Sequence, residues 1–179
     1  NSIHAEELQD ICVHILLKSN DYNAALECME QYPDLSPELK KIQSELTYSA
    51  GMQQYKEGAY SEALNYFKKS SQVEALFWTA DTYYLLKDEN KALQNYLQFI
   101  KDPKASGSEV YALAYYNLGY LYLNRGDFKN SLTKFKEFVI HDKSSDNLRQ
   151  ADSWMRVGDC HFVQRHYNDA ITSYSNAVK

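Results

Sequence analysis

The sequence has few of the residues that tight turns need, with only six glycines and three prolines among its 179 residues. Folds rich in β-sheet join many short strands through such turns, so this shortage disfavours them. No apolar run approaches the roughly eighteen residues that suggest a membrane-spanning helix. The net charge of −5 disfavours a nucleic-acid binder, because contacts with phosphates need clustered lysine and arginine.

Cysteine is also scarce, with Cys12, Cys28 and Cys160 and no pair at CxxC spacing. An odd count without metal-type spacing favours buried, apolar thiols. Cys12 and Cys28 could face each other across one helical hairpin, which leaves open whether they are bonded. The cysteines therefore do not fix the redox compartment, and cytoplasm and bacterial periplasm both remain open.

Recognisable catalytic motifs are absent, since the sequence contains no HExxH, no glycine-rich phosphate loop and no nucleophile elbow. Cys160, His161 and His166 are close in sequence. Residues 160 and 161 of one helix point about 100° apart, and residue 166 falls near a turn, so we do not expect these side chains to converge on a metal. The sequence predicts a protein without enzymatic activity, cofactor or metal.

Tyrosine is abundant, with sixteen residues, and aromatic residues recur in a repeated pattern. Residues 50–67, 116–138 and 154–177 follow one pattern, and weaker copies surround residues 12–29 and 80–96. Each copy places one small residue in a first helix and one in a second, where two helices can approach closely. The first-helix small residues are Val13, Gly51, Ala80, Gly119 and Gly158, and those of the second helix are Ala25, Ala63, Ala92, Ser131 and Ala170.

Large residues flank these small ones on the second helix, directly after the turn and again seven positions later. A spacing of seven keeps both large residues on one helical face. Those after the turn are Tyr22, Tyr60, Glu89, Phe128 and Tyr167, and those seven positions on are Met29, Phe67, Tyr96, Phe135 and Tyr174.

This pattern resembles the tetratricopeptide repeat (TPR) family over nearly the whole chain. The resemblance implies an all-α fold, a right-handed α-solenoid of antiparallel helix hairpins with about ten helices. We expect a single solenoid over residues 1–179, with units at about 5–36, 37–72, 73–105, 106–143 and 144–179. Successive second-helix small residues are 29 to 39 residues apart, against about 34 in a standard TPR. Ser36–Pro37–Glu38 and the Ser106–Glu109 pair match helix starts, the latter as a capping box.

The resemblance also implies that the first helices line a concave groove that binds a partner. Aromatic residues and methionine occupy most of the corresponding positions from the second unit onward, and scattered carboxylates join them. We expect these side chains to be partly exposed; the alternative is that the tyrosines pack between repeats with only their hydroxyls in water. The predicted partner-binding residues are Tyr48, Met52, Tyr55, Phe77, Asp81, Tyr84, Tyr116, Tyr120, Met155, Asp159 and Phe162.

One known TPR activity, the capture of a C-terminal carboxylate by chaperone-binding members, is disfavoured. Asn117 and Arg156 match the residues that hold the carboxylate, but Asp81 and Asp152 stand where donors are needed. Because acids repel a carboxylate, an apolar or basic peptide suits the groove better than an acidic tail.

The sequence thus predicts a scaffold or adaptor that grips an extended peptide or helix. One alternative is a structural repeat segment that self-associates or stacks within a larger complex, such as one in a bacterial envelope. Another is a regulatory segment of a larger multidomain protein. No polar helix caps the pattern after residue 177, so we also expect a segment of a longer repeat protein.

Overall fold

The computed structural model describes residues 11–15, 18, 22–31, 35–144 and 147–178, with the side chains of residues 22, 23 and 147 excepted. These residues form helices joined by turns and short irregular segments, and none of them forms a strand. The predicted all-α hairpin fold is therefore confirmed. Residues 11–15 are helical, and the helices that follow are α1 (Tyr22–Glu30), α2 (Pro37–Lys56), α3 (Tyr60–Lys69), α4 (Val73–Leu85), α5 (Glu89–Lys101), α6 (Tyr111–Asn124), α7 (Phe128–His141), α8 (Asn147–Val163) and α9 (Tyr167–Ala177), with a 3-10 turn at Ala105–Gly107.

The helices group into two compact units, residues 1–75 and 76–179. The first unit holds α1 to α3 and the start of α4, and the second holds the rest of α4 through α9. In the part of the chain that the structure describes, no helix is both long enough and apolar enough to cross a lipid bilayer.

The small residues of each hairpin are buried where its two helices meet, as the sequence predicted. A Cβ atom built on Gly119 would lie 2.8 Å from the ring of Phe135, and one on Gly51 would lie 2.7 Å from the ring of Phe67. Real Cβ atoms do not approach other atoms so closely. Glycine at these two positions therefore lets the large residue of the second helix lie directly against the first.

The turns inside four hairpins share one backbone conformation. A residue with positive φ stands seven positions after the first-helix small residue, and the second helix begins two positions later. These residues are Gly58 (81°), Lys87 (64°), Gly126 (72°) and Arg165 (63°).

One of the two predicted helix starts is confirmed and the other is wrong. Ser36 caps α2, and its Oγ accepts a hydrogen bond from the backbone N–H of Leu39 at 3.2 Å, with Pro37 as the first helical residue. Ser106 caps no helix, because its hydroxyl donates to the carbonyl of Pro103 at 3.2 Å inside the 3-10 turn. The next helix, α6, begins only at Tyr111.

Candidate functional site

The predicted partner-binding residues occupy three equivalent positions in each first helix. They lie three residues before, one after and four after the small residue, so they follow one face of the helix. We call these three positions the groove face. It comprises Tyr48, Met52 and Tyr55 on α2; Phe77, Asp81 and Tyr84 on α4; Tyr116, Tyr120 and Leu123 on α6; and Met155, Asp159 and Phe162 on α8.

Three apolar residues of the groove face in the second unit are open to solvent. Tyr84 is 37% exposed, Met155 45% and Phe162 57%. Tyr116 and Tyr120 are half-buried, as are the carboxylates of Asp81 and Asp159. Each of these seven residues therefore presents at least part of its side chain at the surface, as the sequence predicted.

The predicted exposure of Phe77 is wrong, because this residue is only 1% exposed and belongs to the core. Its ring centroid lies 5.5 Å from that of Tyr96 and 5.8 Å from that of Phe99, both on the second helix of the same hairpin. In α4 the position three residues before the small residue is therefore covered by second-helix rings, whereas Met155, at the same position of α8, is 45% exposed. Tyr116 packs in the same way, 5.1 Å from Phe138 and 5.9 Å from Phe135, but it also carries a hydroxyl that needs a polar partner.

The two groove-face carboxylates accept hydrogen bonds from tyrosines of their own hairpins. Tyr96 donates its hydroxyl to Asp81 at 2.8 Å, and Tyr174 donates to Asp159 at 3.0 Å. The two pairs have the same spacing of fifteen residues. In the other hairpins, the residues at these two positions are His14 and Met29, Met52 and Phe67, and Tyr120 and Phe135. Aspartate therefore occurs at the first position only where tyrosine occupies the second.

A second network joins α6 to α8 through Asp152, which is not among the predicted partner-binding residues. Tyr116 donates its hydroxyl to Asp152 Oδ2 at 2.9 Å, and Tyr120 makes a shorter hydrogen bond to the same oxygen. Burial raises the pKa of both tyrosines, and the hydrogen bonds to Asp152 raise it further, so both stay protonated donors at neutral pH. Arg156 then links Asp152 (Nε–Oδ1, 3.3 Å) to Asp159 (Nη1–Oδ2, 2.7 Å).

The two residues that match carboxylate-capturing TPRs are hydrogen-bonded within the chain. Asn117 Nδ2 donates to the hydroxyl of Tyr96 at 2.8 Å and to Asp81 Oδ1 at 3.3 Å. Arg156 is held between two aspartates. This geometry adds to the sequence argument against capture of a C-terminal carboxylate.

In the first unit, the groove face of α2 carries half-buried residues only. Tyr48 and Met52 line a surface depression together with Gln53, Lys56 and Glu57. The ring of Tyr55 lies 5.8 Å from that of Tyr60 at the start of α3.

His161 and His166 do converge, contrary to the sequence-based expectation. One ring nitrogen of each histidine and one carboxylate oxygen of Asp169 lie within 4.8 Å of one another at the turn between α8 and α9. Cys160 is not part of this group, because it is buried with its Sγ 3.6 Å from the hydroxyl of Ser131. The ammonium of Lys136 lies 3.5 Å from His161 Nε2, and this positive charge opposes a cation at the same place.

Two models of the tetratricopeptide repeat match the chain, one over residues 74–105 and the other over residues 116–179. The chain belongs to the tetratricopeptide repeat family. TPR units are protein-interaction modules, so this assignment supports a general role as a protein-interaction scaffold.

Solved TPR structures share the fold at low sequence identity. BtubC (BKLC) from P. vanneervenii superposes with a TM-score of 0.65 at 15% identity, over 96% of this chain and 77% of that one. YrrB, described as a TPR protein with an unusual peptide-binding site, gives 0.60 at 17% identity over 93% and 81%. MamA (residues 41 to end) from Desulfovibrio magneticus RS-1 gives 0.59 at 16% identity over 97% and 93%. No curated protein matches this TPR chain in sequence.

Proposed function

We propose that this TPR chain is a non-enzymatic scaffold that holds an extended peptide, rich in apolar and basic side chains, along the groove face of α4, α6 and α8. The observation that carries the proposal is the exposure of Tyr84, Met155 and Phe162 on this face, beside the carboxylates of Asp81 and Asp159. Soluble proteins expose single apolar residues freely, but Tyr84 and Phe162 occupy the same position of their first helices, and this recurrence favours a binding surface.

Charge favours a basic peptide over an acidic one. The carboxylates of Asp152 and Asp159 share the guanidinium of Arg156, and the carboxylate of Asp81 accepts hydrogen bonds from the uncharged groups of Tyr96 and Asn117. A lysine or arginine of the partner gains from this excess of negative charge, whereas an acidic segment is repelled.

The hydrogen bonds also keep the polar part of the site in place before a partner arrives. Asp152 and Asp159 are each held by tyrosine hydroxyls and by Arg156. Side chains that are already ordered lose little conformational entropy on binding, so more of the contact energy contributes to affinity. The description of YrrB as a peptide-binding TPR protein is consistent with this use of the fold.

Selection from a random peptide library displayed on phage tests the proposal, with the 179-residue chain as bait. We expect the selected peptides to combine aromatic or aliphatic residues with lysine or arginine. Their affinity for Met155→Ala and Phe162→Ala should fall about tenfold or more, which corresponds to roughly 1.4 kcal/mol, the loss of one apolar anchor. Ile140→Ala is the matched control, because Ile140 is 71% exposed but lies on a second helix, α7.

Equal loss of binding in Ile140→Ala, or selection of acidic peptides, would overturn the groove assignment. Light scattering on the same variants tests the alternative of self-association. A molecular mass that rises with concentration in the native chain, and not in Phe162→Ala, would assign this face to contacts between copies.

A further inference from the structure

The first hairpin contains two cysteines whose sulfur atoms are adjacent. Cys12 lies in the helical residues 11–15 and Cys28 lies in α1, and their Sγ atoms are 2.8 Å apart. Both side chains are half-buried, so small reagents can reach them. A disulfide bond needs about 2.05 Å between sulfurs, which requires a movement of less than about 1 Å from this arrangement.

We propose that Cys12 and Cys28 form a thiol–disulfide site, at which a low-molecular-weight disulfide oxidises the pair to a cross-link within the first hairpin. Neither cysteine belongs to the groove face, so the proposal does not depend on peptide binding there. The third cysteine provides a contrast, since Cys160 is fully buried beside the hydroxyl of Ser131.

The surrounding core keeps the two sulfur atoms close to each other. Val13 and Met29, the chain neighbours of Cys12 and Cys28, are fully buried in one cluster with Leu35. Cys28 packs against this cluster. Because one chain neighbour of each cysteine is fixed in the core, the two thiols meet far more often than free thiols in solution would.

The reaction proceeds in two exchange steps. The Cys12 thiolate attacks one sulfur of the small disulfide, so a mixed disulfide forms and one small thiolate leaves. Cys28 then attacks the Cys12 sulfur, the protein disulfide forms, and the second small thiolate leaves. The two protein thiols lose two protons, which the two released thiolates take up, and the small disulfide is reduced by the two electrons that the protein gives up.

The order of attack follows from the surroundings of Cys28. Burial, together with the hydrogen bond to Cys12, raises the pKa of Cys28 to about 11, so this thiol is a poor first nucleophile at neutral pH. Once Cys12 is part of a mixed disulfide, its contribution to that pKa is lost and Cys28 ionises more readily. The oxidised hairpin is then more stable than the reduced one, because a cross-link restricts the unfolded chain.

Peptide mapping tests the proposal on the full 179-residue chain. The reduced protein is incubated with oxidised glutathione, quenched in acid, alkylated and digested with trypsin without reduction. Because Lys18 separates the two cysteines, they fall in the successive tryptic peptides 1–18 and 19–40. We expect these two peptides joined with the loss of two hydrogens, separable by a reductant, and Cys160 alkylated.

Variants and thermal unfolding complete the test. Cys160→Ser should still cross-link and should unfold several degrees higher after oxidation than before it, whereas Cys12→Ser should show neither effect. The proposal is overturned if the native chain ends with glutathione on both cysteines and no link, with a link to Cys160, or with disulfide-bonded dimers.

Discussion

At the scale of single residues, the residue after the small position of a first helix correlates with whether the opposing second-helix ring carries a hydroxyl. Aspartate stands there in the hairpins whose second helix brings tyrosine against it, at Asp81 and Asp159. Where phenylalanine occupies the tyrosine position, the residue is Met52 or Tyr120. A half-buried carboxylate needs hydrogen-bond donors, and phenylalanine offers none, so the two positions depend on each other.

Replacing Tyr96 with phenylalanine should therefore destabilise the protein by about 1–2 kcal/mol. Hydrogen bonds to charged groups contribute roughly 1.5–3 kcal/mol, and partial exposure of Asp81 lowers this figure. Urea unfolding of Tyr96→Phe, Asp81→Asn and the double variant measures the coupling between the two side chains. Strictly additive effects would show that the hydrogen bond contributes nothing to stability.

The small residues of the repeat were predictable from sequence, but the degree of exposure was not. Gly119 and Phe135 stand at the small position and the large position of one repeat, so their contact could be inferred from the repeated spacing alone. Phe77 and Tyr116 occupy the same position of the repeat, and both pack on second-helix rings. Only three-dimensional packing shows that the first is fully covered. The Asp81–Tyr96 pairing was visible in the sequence as a repeated spacing of fifteen, and only a comparison of units by residue type would have found it.

At the scale of elements, the four hairpin turns that the structure describes share a left-handed backbone conformation at one residue, which is glycine in two of them. Gly58 and Gly126 adopt it without steric cost, whereas Lys87 and Arg165 adopt it with a side chain. The turns keep the same length in all four cases, because the second helix starts two residues later in each. The hairpin pattern could therefore be predicted even where the turn lacks glycine.

Arg165→Gly should stabilise the protein by about 0.5–1 kcal/mol. Left-handed backbone costs a residue other than glycine about 1–2 kcal/mol, and part of this gain is offset by the greater freedom of glycine in the unfolded chain. Gly126→Ala should destabilise by a similar amount, since a Cβ there meets no atom within 4 Å and only the backbone is strained. Chemical denaturation measures both changes.

The control for this pair is Arg165→Ala, which removes the guanidinium and keeps the left-handed backbone. It should leave stability within about 0.5 kcal/mol of the native chain. If Arg165→Ala stabilises as much as Arg165→Gly, the effect belongs to the charge of the arginine and not to the turn.

At the scale of the whole molecule, the family matches and the proposed groove fall in the same part of the chain. Both matched ranges lie within residues 74–179, and so do Tyr84, Met155 and Phe162. The cysteine pair lies in the other compact unit, residues 1–75. Peptide binding and thiol oxidation are therefore assigned to separate units and can be tested separately.

A fragment of residues 73–179 should fold on its own and bind the selected peptides within about threefold of the affinity of the full chain. It contains three hairpins, the number at which stacked repeats generally bury enough apolar surface to be stable. Its core residues Phe77, Phe99, Leu118 and Phe135 are fully buried. Urea unfolding followed by circular dichroism should show one cooperative transition. The slope of its unfolding free energy against urea concentration should be smaller than that of the full chain, in proportion to the smaller buried surface.

A fragment of residues 111–179 supplies the contrast, because it keeps α6 to α9 but only two hairpins. It should be markedly less stable, and it lacks Tyr84, so the peptides should bind it more weakly. If residues 73–179 stay unfolded at low temperature while the full chain is folded, the first unit is needed for the stability of the second. If they fold but do not bind the selected peptides, the assignment of peptide binding to the groove face of α4, α6 and α8 is wrong.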